Sequence, residues 1–357
     1  MFHLVCLDSD GWTLAKPSFS GYRHGNTKGS LLNTMKQFRL LSALLLAALP
    51  ALADEPAVAT PETEAPAEAA EMLAPPPAPP AVEAGLQVWF SRGQSEFEIE
   101  FGGIFLNGRS KLTWEDLDAA VLIFHAEGAL SDRLRVGGRI GTGELDDGQN
   151  TDEDWLWDTK FSESTADTDG DVTLGDINLY YRLTEPGSKE FLQLDGFVGY
   201  SYYEDDLNDQ NLVQVVPDEG PYPGLDSTFK FEWHAAKVGV RTLADLSSNI
   251  TLKVTAAALY LIRYDGEGYW NLRDDFRRES PNFTQKSEDG MGVEGAIATV
   301  IRLTENLSLE LGYWLYYIGS DEGEDVIYFA DGTKGYTEIT NVESFRHGVT
   351  VGLAAAF

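Results

Sequence analysis

The amino-acid sequence predicts an all-β protein, a transmembrane antiparallel β-barrel of about ten strands with long extracellular loops. Three observations support this prediction. From Gln87 onward, apolar and polar residues alternate with a period of two, and no convincing amphipathic helix is found. Short and long connections alternate along the chain, as they do in outer-membrane barrels. A segment with the layout of a secretory signal peptide precedes the alternating region.

The signal-peptide layout begins at Met35. Two basic residues follow it, then a short apolar core over residues 40–49, and then Ala51-Leu52-Ala53 as a small-x-small cleavage site. The apolar core is too short to cross a bilayer as a helix. We therefore expect residues 35–53 to be a signal peptide.

The residues on either side of this segment are expected to lie outside the folded domain. Residues 1–34 form a doubtful leader, which an over-extended start site would explain. The one cysteine, Cys6, lies in that leader, so the mature chain is expected to fold without disulfides. Residues 54–84 are rich in Ala, Pro and Glu and are expected to be a disordered spacer. The barrel is expected over residues 85–357.

The chain is strongly acidic, with a formal net charge of -32. The first 53 residues contain five basic and two acidic side chains, so the chain that follows them is more acidic still. Phosphates would be repelled by such a surface, which argues against nucleic acid as a partner. Cationic ligands, divalent ions or simple solubility in a salty medium are compatible with it.

The alternation is cleanest at Glu96–Phe101, Phe229–His234 and Leu307–Tyr313. In a membrane barrel the apolar face turns to lipid and the polar face lines the lumen, so His234 is expected to point inward. The ten strands are expected at roughly 87–106, 114–130, 133–144, 171–183, 190–203, 228–243, 249–264, 288–303, 307–319 and 344–357.

The connections between these strands fall into two classes. Short turns are expected near 131–133, 184–189, 244–249 and 304–306. Long polar loops are expected near 107–113, 144–171, 203–228, 264–288 and 319–343. An even number of antiparallel strands closes without a free edge, which a bilayer requires.

The chain ends in an alternating strand, Gly348–Phe357, with a terminal phenylalanine. This strand looks like the C-terminal strand of bacterial outer-membrane proteins, and that resemblance implies recognition by the outer-membrane assembly machinery. The expected location is the cell outer membrane of a Gram-negative bacterium. Outer-membrane lipid, including lipopolysaccharide, is then an expected partner.

A dense acidic and aromatic motif, Asn150–Trp157, interrupts the alternation. Asp152 and Asp154 are two residues apart, so an extended backbone places both carboxylates on one face and Glu153 on the other. Two carboxylates that are held close together repel, which raises the pKa of one of them. Such a pair can hold a proton, a water molecule or a cation.

A second acidic motif surrounds Gly170. Asp167, Asp169 and Asp171 have the alternating spacing that calcium loops use. The motif lacks the bidentate glutamate of an EF-hand. A solvated acidic loop is therefore the favoured interpretation, with a calcium site as the alternative and no other cofactor predicted.

The sequence resembles the omptin family of outer-membrane proteases. The resemblance is carried by Ser110–Trp114, the apolar stretch 119–124, Asp152–Trp155, the order and spacing of the strands, and the terminal strand. It covers most of the chain from about Leu86. It implies a ten-strand barrel that protrudes well beyond the membrane.

Omptins are known to cleave peptides with a pair of aspartates on one wall of an extracellular groove and an aspartate–histidine pair on the other. The first pair matches Asp152 and Asp154. The positions of the second pair hold Gly266 and Gly268, and a shift of one residue places Asp265 and Glu267 there instead. No register supplies a histidine, the usual general base near pH 7.

Three functions follow from this pattern. The first is an omptin-like outer-membrane barrel without proteolytic activity that acts as a surface binding or structural protein. The second is an active endopeptidase that cleaves basic peptides, such as cationic antimicrobial peptides, with an all-carboxylate site of Asp152, Asp154, Asp265 and Glu267. The third is a small porin or channel, which is disfavoured because side chains usually fill barrels of this size.

Overall fold

The computed structural model describes residues 82–103, 106–185 and 192–357. The leader, the signal peptide and nearly all of the spacer lie outside the described residues. The strands are β1 (Val82–Gly103), β2 (Leu106–Ala129), β3 (Leu134–Leu156), β4 (Thr159–Arg182), β5 (Leu192–Val216), β6 (Gly220–Pro221), β7 (Ser227–Ser247), β8 (Ile250–Tyr269), β9 (Phe283–Ser287), β10 (Met291–Arg302), β11 (Leu307–Ser320), β12 (Gly323–Tyr328) and β13 (Lys334–Ala356). The first strand thus begins at Val82, inside the segment expected to be spacer.

Ten of these strands form a closed antiparallel ring. Its order is β1-β2-β3-β4-β5-β7-β8-β10-β11-β13, and β1 closes the ring by pairing with β13. The short strands β9 and β12 continue the wall between β8 and β13 where β10 and β11 have ended. The sequence-based prediction of an all-β barrel of about ten antiparallel strands is confirmed. No helix in the described part of the chain is long and apolar enough to cross a membrane.

Short turns connect the strands at one end of the barrel. The turns after Ala129 and Arg302 lie where the sequence placed them, and the turn between β7 and β8 occupies residues 248–249 alone. The predicted turn over 184–189 lies largely outside the described residues.

The long loops were predicted too long. Residues 107–113 lie in β2, residues 144–171 lie almost entirely in β3 and β4, and β5 continues to Val216. Many outward-facing residues of the extensions in β3, β4 and β5 are Asp or Glu, which have low strand propensity and so resemble loop sequence. Pairing across the 21 registered positions of the β3–β4 hairpin overrides that propensity.

The strands are much longer than a membrane requires. The 25 residues of β5 extend about 80 Å at about 3.3 Å per residue, whereas about 9–11 tilted residues cross the bilayer. Large apolar side chains are exposed near the short-turn end of the strands, as a lipid-facing belt requires. They include Leu86, Phe90, Leu122, Phe124, Ile140, Ile177, Val198, Val238, Ile297, Val349 and Leu353.

Strand β7 shows how the two halves of the barrel differ. In its outer part Phe229, Phe231 and Trp233 are fully buried inside the barrel, and the alternate residues are polar and face outward. In its inner part Lys237 and Arg241 are buried in the lumen, and the alternate residues, Val238 among them, are exposed to lipid. The strand therefore exchanges the polarity of its two faces where it enters the membrane.

In the outer half, aromatic side chains pack across the lumen. The ring centroid of Phe229 lies 5.0 Å from that of Phe97, 5.1 Å from that of Trp114 and 5.5 Å from that of Phe283. Such offset and tilted pairs contribute about 0.5–1.5 kcal/mol each beyond the burial of their surface. This outer aromatic core, formed by β1, β2, β7 and β9, holds the protruding walls together.

In the inner half, ion pairs cross the lumen. The Arg139 guanidinium of β3 contacts Glu294 of β10 and lies 2.5 Å from Asp176 of β4. The Lys237 ammonium lies 2.6 Å from Glu294 and 3.2 Å from Asp176. A polar cavity of about 130 Å³ surrounds these groups. Buried charges of both signs are thus paired, as a low-dielectric interior requires.

Arg346 of β13 lies between the two halves and is fully buried. Its guanidinium donates to the Tyr203 hydroxyl at 2.7 Å, to the Leu117 carbonyl at 2.8 Å and to Ser91 Oγ at 3.2 Å, and it lies 3.3 Å from the Asp205 carboxylate. Arg346 thus connects β13 to β1, β2 and β5.

The exchange of polarity along β7 predicts opposite effects of arginine at two outward-facing positions. Val238→Arg would place a charge in lipid and should lower the free energy of unfolding by about 2–4 kcal/mol. Thr228→Arg, on the same face ten residues toward the outer end, should change it by less than about 0.5 kcal/mol. Guanidinium unfolding of the purified barrel in lipid vesicles, followed by tryptophan fluorescence, measures both. Equal effects of the two variants would contradict the assignment of the membrane boundary.

Candidate functional site

Asp152 and Asp154 lie on the inner face of β3, near its outer end. Asp154 stands opposite Ser110 of β2 and Ser162 of β4, and Asp152 stands opposite Leu112 and Ser164 on the same two strands. Because directly opposed residues of an antiparallel pair point to the same side, and Leu112 is buried in the core, both carboxylates point into the barrel. The motif forms strand, and β3 and β4 join at a tight turn over residues 157–158.

Both carboxylates are withdrawn from water. Asp154 is 0% exposed, and both of its oxygens, like Oδ1 of Asp152, are enclosed by protein. The Ser110 hydroxyl, which stands opposite Asp154, acts to lower the pKa of Asp154 but does not offset its burial. Burial raises the pKa of Asp152 to about 7. Burial, together with the neighbouring Asp152 carboxylate, raises the pKa of Asp154 to about 9. At neutral pH the pair therefore retains at least one proton.

A third buried acid, Asp209, lies on the inner face of β5. Its carboxylate accepts hydrogen bonds from Trp114 Nε1 at 3.1 Å and from the Thr168 hydroxyl at 2.6 Å. Burial raises the pKa of Asp209 to about 7 despite these two donors. Sequence reasoning missed this residue, although its alternation with Leu207, a buried apolar residue, indicates that it shares the inner face.

The facing segment of β8 presents Gly266 and Gly268 to the interior. A Cβ atom at residue 268 would lie 1.9 Å from the Phe283 ring, and one at residue 266 would lie 2.6 Å from the Tyr264 hydroxyl and 2.9 Å from Cβ of Gln285. No real Cβ tolerates such distances. The two glycines are therefore required by side chains of β8 and β9 that occupy the space in which larger residues would stand.

Asp265 and Glu267 lie on the outer surface of β8. They stand opposite Glu232 and Lys230 of β7; the Arg263 guanidinium contacts Asp265, and Lys230 Nζ lies 3.7 Å from Glu267. The structure therefore does not bring them together with Asp152 and Asp154. The all-carboxylate arrangement predicted by shifting the register has no geometric basis, because adjacent residues of a strand point to opposite faces.

A different acid, Asp325 of β12, lies on the inner face of the wall that β8, β9 and β12 form. It is buried, accepts a hydrogen bond from the Thr337 hydroxyl at 2.7 Å and lies beside Gln285 in register. Burial raises the pKa of Asp325 to about 6. Sequence reasoning placed this residue in a loop and did not select it.

The histidines of the described residues, His125, His234 and His347, are not neighbours of the paired aspartates in the strand register. His125 lies in the lumen at the level of the membrane, against Gly85 near the start of β1. His234 and His347 face outward, where Nδ1 of each is hydrogen-bonded to a tyrosine hydroxyl, Tyr200 at 2.5 Å and Tyr313 at 2.6 Å. The prediction that His234 points into the lumen is wrong, because Phe229–Trp233 lies outside the membrane and turns its aromatic side inward.

Asp167, Asp169 and Asp171 occupy the exposed outer face of β4 instead of a loop. Asn211 Nδ2 donates to Asp167 at 2.9 Å, and Asn208 Nδ2 donates to Asp169 at 3.2 Å. Because alternate residues of a strand are about 6.6 Å apart, the three carboxylates are spread along β4 and do not surround one point. Within the described ranges, the three acidic or histidine side chains that could share one ion are Glu232, His234 and Asp265, whose ligand atoms lie within 4.8 Å of one another.

A family model described as Pom, Protochlamydia outer membrane protein, matches residues 94–357. That match covers well over half of the chain. The chain belongs to the Protochlamydia outer membrane protein family. This membership and the closed antiparallel ring show an outer-membrane β-barrel, as the sequence predicted.

Among solved structures, the barrel is similar to outer membrane protease OmpT from Escherichia coli, with a TM-score of 0.66 and 17% sequence identity over 80% of this chain and 99% of that chain. This likeness shows an omptin-like fold. The translocator domain of autotransporter NalP from Neisseria meningitidis and the toluene transporter TodX from Pseudomonas putida match with TM-scores of 0.34 and 0.32, at 9% and 10% identity. The match to NalP covers 78% of this chain and 88% of the NalP chain, and the match to TodX covers 78% of this chain and 90% of the TodX chain. No curated protein matches the chain.

The raised pKa of Asp154 predicts a pH-dependent effect of Asp154→Asn on this family member. A carboxyl group whose pKa is higher in the folded state stabilises the fold at low pH, and that contribution is lost as the pH rises from about 4 toward 9. The variant, which carries no charge, should match the wild type at pH 4 and exceed its free energy of unfolding by at least about 1 kcal/mol at pH 9. Guanidinium unfolding in detergent micelles at pH 4, 7 and 9 measures the difference.

Asp158→Asn is the matched control, since Asp158 lies exposed at the tip of the same hairpin. A stability difference for Asp154→Asn that stays constant with pH would show that the carboxyl is not held neutral.

Proposed function

We propose that this outer-membrane barrel does not cleave peptides and acts at the cell surface as a binding protein, with the Asp152–Asp154 pair as its site for a cationic group. The barrel would then share the fold of an outer-membrane protease without its catalytic activity. The observation that carries it is the filled wall across the lumen from the aspartate pair.

At the positions of Gly266 and Gly268 that wall has no room for larger side chains. Phe283 occupies the space above Gly268, and Gln285 with the Tyr264 hydroxyl occupies the space above Gly266. Phe283 also packs on Phe229, and Phe229 packs on Trp114. An attacking water molecule needs both a general base and an open position beside the scissile bond. The Phe283 ring occupies the space beside Gly268.

The aspartate wall retains the chemistry for binding. Asp154 and Asp152 are flanked in register by the hydroxyls of Ser110, Ser162 and Ser164. Carboxylate and hydroxyl oxygens suit a basic side chain or a hard divalent cation. An arriving cation would displace the retained proton, because it stabilises the charged form of the pair. A basic peptide is the proposed ligand, and the overall negative charge of the chain favours its approach.

The alternative is an active endopeptidase. Inward-facing acids on two walls, Asp154 and Asp325, favour it, since pairs of carboxyls with different pKa values can share acid and base roles. A channel is the third candidate; the aromatic core and the ion pairs across the lumen argue against conduction, and single-channel recordings in planar bilayers would detect it.

A peptide that contains paired basic residues tests the proposed function in two ways. As a quenched-fluorescence substrate, incubated with the barrel in micelles from pH 4 to 8, it should show no cleavage above the buffer rate. As a fluorescent ligand it should bind, and Asp152→Asn/Asp154→Asn should weaken binding at least tenfold, because the site then loses both charges.

OmpT from Escherichia coli in the same micelles is the positive control for cleavage, and Asp158→Asn is the matched control for binding. Cleavage that Asp154→Ala abolishes would establish the endopeptidase in place of the proposal. Binding that is unchanged by the double substitution would remove the Asp152–Asp154 pair as the site.

A further inference from the structure

The outer surface of the barrel carries a second concave site, away from the aspartate pair. It lies on β9, β12 and β13, where these strands form the wall beyond the ends of β10 and β11. Its volume is about 200 Å³, and we call it the lysine–tyrosine concavity. It is lined by Thr284, Lys286, Glu324, Val326, Tyr328, Lys334 and Tyr336.

The strand register explains why these side chains converge. Thr284 of β9, Val326 of β12 and Tyr336 of β13 are directly paired across three strands, and Tyr328 is paired with Lys334 in the next row. The alternate residues of β9 and β12, Gln285 and Asp325, are buried inside the barrel. The lining residues therefore all face outward, and nothing in the aspartate site contacts them.

Two of the three charged residues that line the concavity are lysines, in a very acidic chain. Lys286 stands between Glu324 of β12 and Asp265 of β8 in register, and the Asp265 carboxylate is engaged by Arg263. Among the described residues neither Lys286 nor Lys334 forms an ion pair with a carboxylate. Most other outward-facing cations of the outer half are paired, as Lys160 is with Glu163 at 2.8 Å. Two ammonium groups without a carboxylate partner on one small concave surface can attract an anion.

Aromatic side chains complete the lining. The Tyr328 ring lies 4.1 Å from the Arg277 guanidinium carbon and 4.9 Å from Lys334 Nζ, distances typical of cation–π contacts. Its hydroxyl lies 3.1 Å from the Thr284 hydroxyl. These contacts fix one tyrosine. Tyr336, by contrast, is 64% exposed, so an apolar ring face is left uncovered beside the two lysines.

We infer that the lysine–tyrosine concavity binds an anionic saccharide. The ammonium groups of Lys286 and Lys334 would pair with a carboxylate or phosphate on the sugar, Glu324 and the Tyr328 hydroxyl would accept its hydroxyl hydrogens, and the Tyr336 ring would cover its apolar face. The volume is below the roughly 300–1,000 Å³ of pockets that enclose drug-sized ligands. It therefore accommodates one unit of a longer chain.

The position of the site above the membrane selects a saccharide rather than a lipid headgroup. Along β13, Tyr336 precedes Phe345 by nine residues, and Phe345 is where exposed large apolar side chains of that strand begin again. Nine residues of strand extend about 30 Å, and a strand tilted by about 45° still rises about 20 Å over that length. A lipid headgroup at the bilayer surface would not reach the lysines, whereas a polysaccharide chain that extends from a cell surface would.

Titration with a tetramer of galacturonic acid tests the inference, with maltotetraose as the neutral probe of equal length. Isothermal titration calorimetry of the purified barrel in micelles should show saturable binding of the acidic tetramer and at least tenfold weaker binding of the neutral one. Lys286→Gln/Lys334→Gln should weaken binding of the acidic tetramer at least tenfold and reduce its salt dependence. Tyr336→Ala should weaken it at least fivefold with its salt dependence unchanged.

Arg278→Gln is the matched control, because Arg278 is an exposed cation of the neighbouring loop that pairs with Asp274; its affinity should equal that of the wild type. Absence of saturable binding to the wild-type barrel, equal binding of both tetramers, or unchanged binding in the double lysine variant would each overturn the inference. Asp152→Asn/Asp154→Asn should leave tetramer binding unchanged, so this test and that of the proposed function fail independently.

Discussion

Each strand of this barrel meets lipid in one half and water in the other, and the rest of the structure depends on how it satisfies both. Along β7 the inward residues change from Phe229 and Trp233 to Lys237 and Arg241, while the outward residues change from Lys230 to Val238. In lipid the apolar side has to face out. In water the apolar side has to face in, because exposed aromatic surface costs free energy in proportion to its area. A protruding barrel therefore acquires a hydrophobic core in its own lumen.

That core determines what the aspartate site can do. Trp114, Phe229 and Phe283 pack on one another in the outer lumen and hold the protruding strands together. The core also surrounds Asp154 with low-dielectric material, which is why burial is the largest cause of its raised pKa. The same packing that stabilises the protruding wall thus favours the protonated form of the pair.

The sequence predicted the strand number, the closed ring and the shared face of Asp152 and Asp154, because a period of two is independent of environment. It could not predict which face is inward, since lipid and a hydrophobic lumen both select apolar residues. His234 was therefore assigned to the wrong side. Nor could it predict the length of β3 and β4, because outward aspartates in a water-exposed strand resemble loop residues. Asp209 and Asp325 were missed for the same two reasons.

The strand period also keeps the two proposed sites apart. On β9, the Gln285 side chain points into the barrel, and the side chain of its neighbour Lys286 points to the outer concavity. The thickness of this wall and the filled lumen behind it separate Lys286 and Lys334 from the Asp152–Asp154 pair of β3. Because the buried strands on both sides are fully paired, a ligand of either site cannot reach the other without opening the wall. The proposed cation site inside and the proposed anion site outside therefore depend on separate strands, with side chains that point in opposite directions relative to the wall.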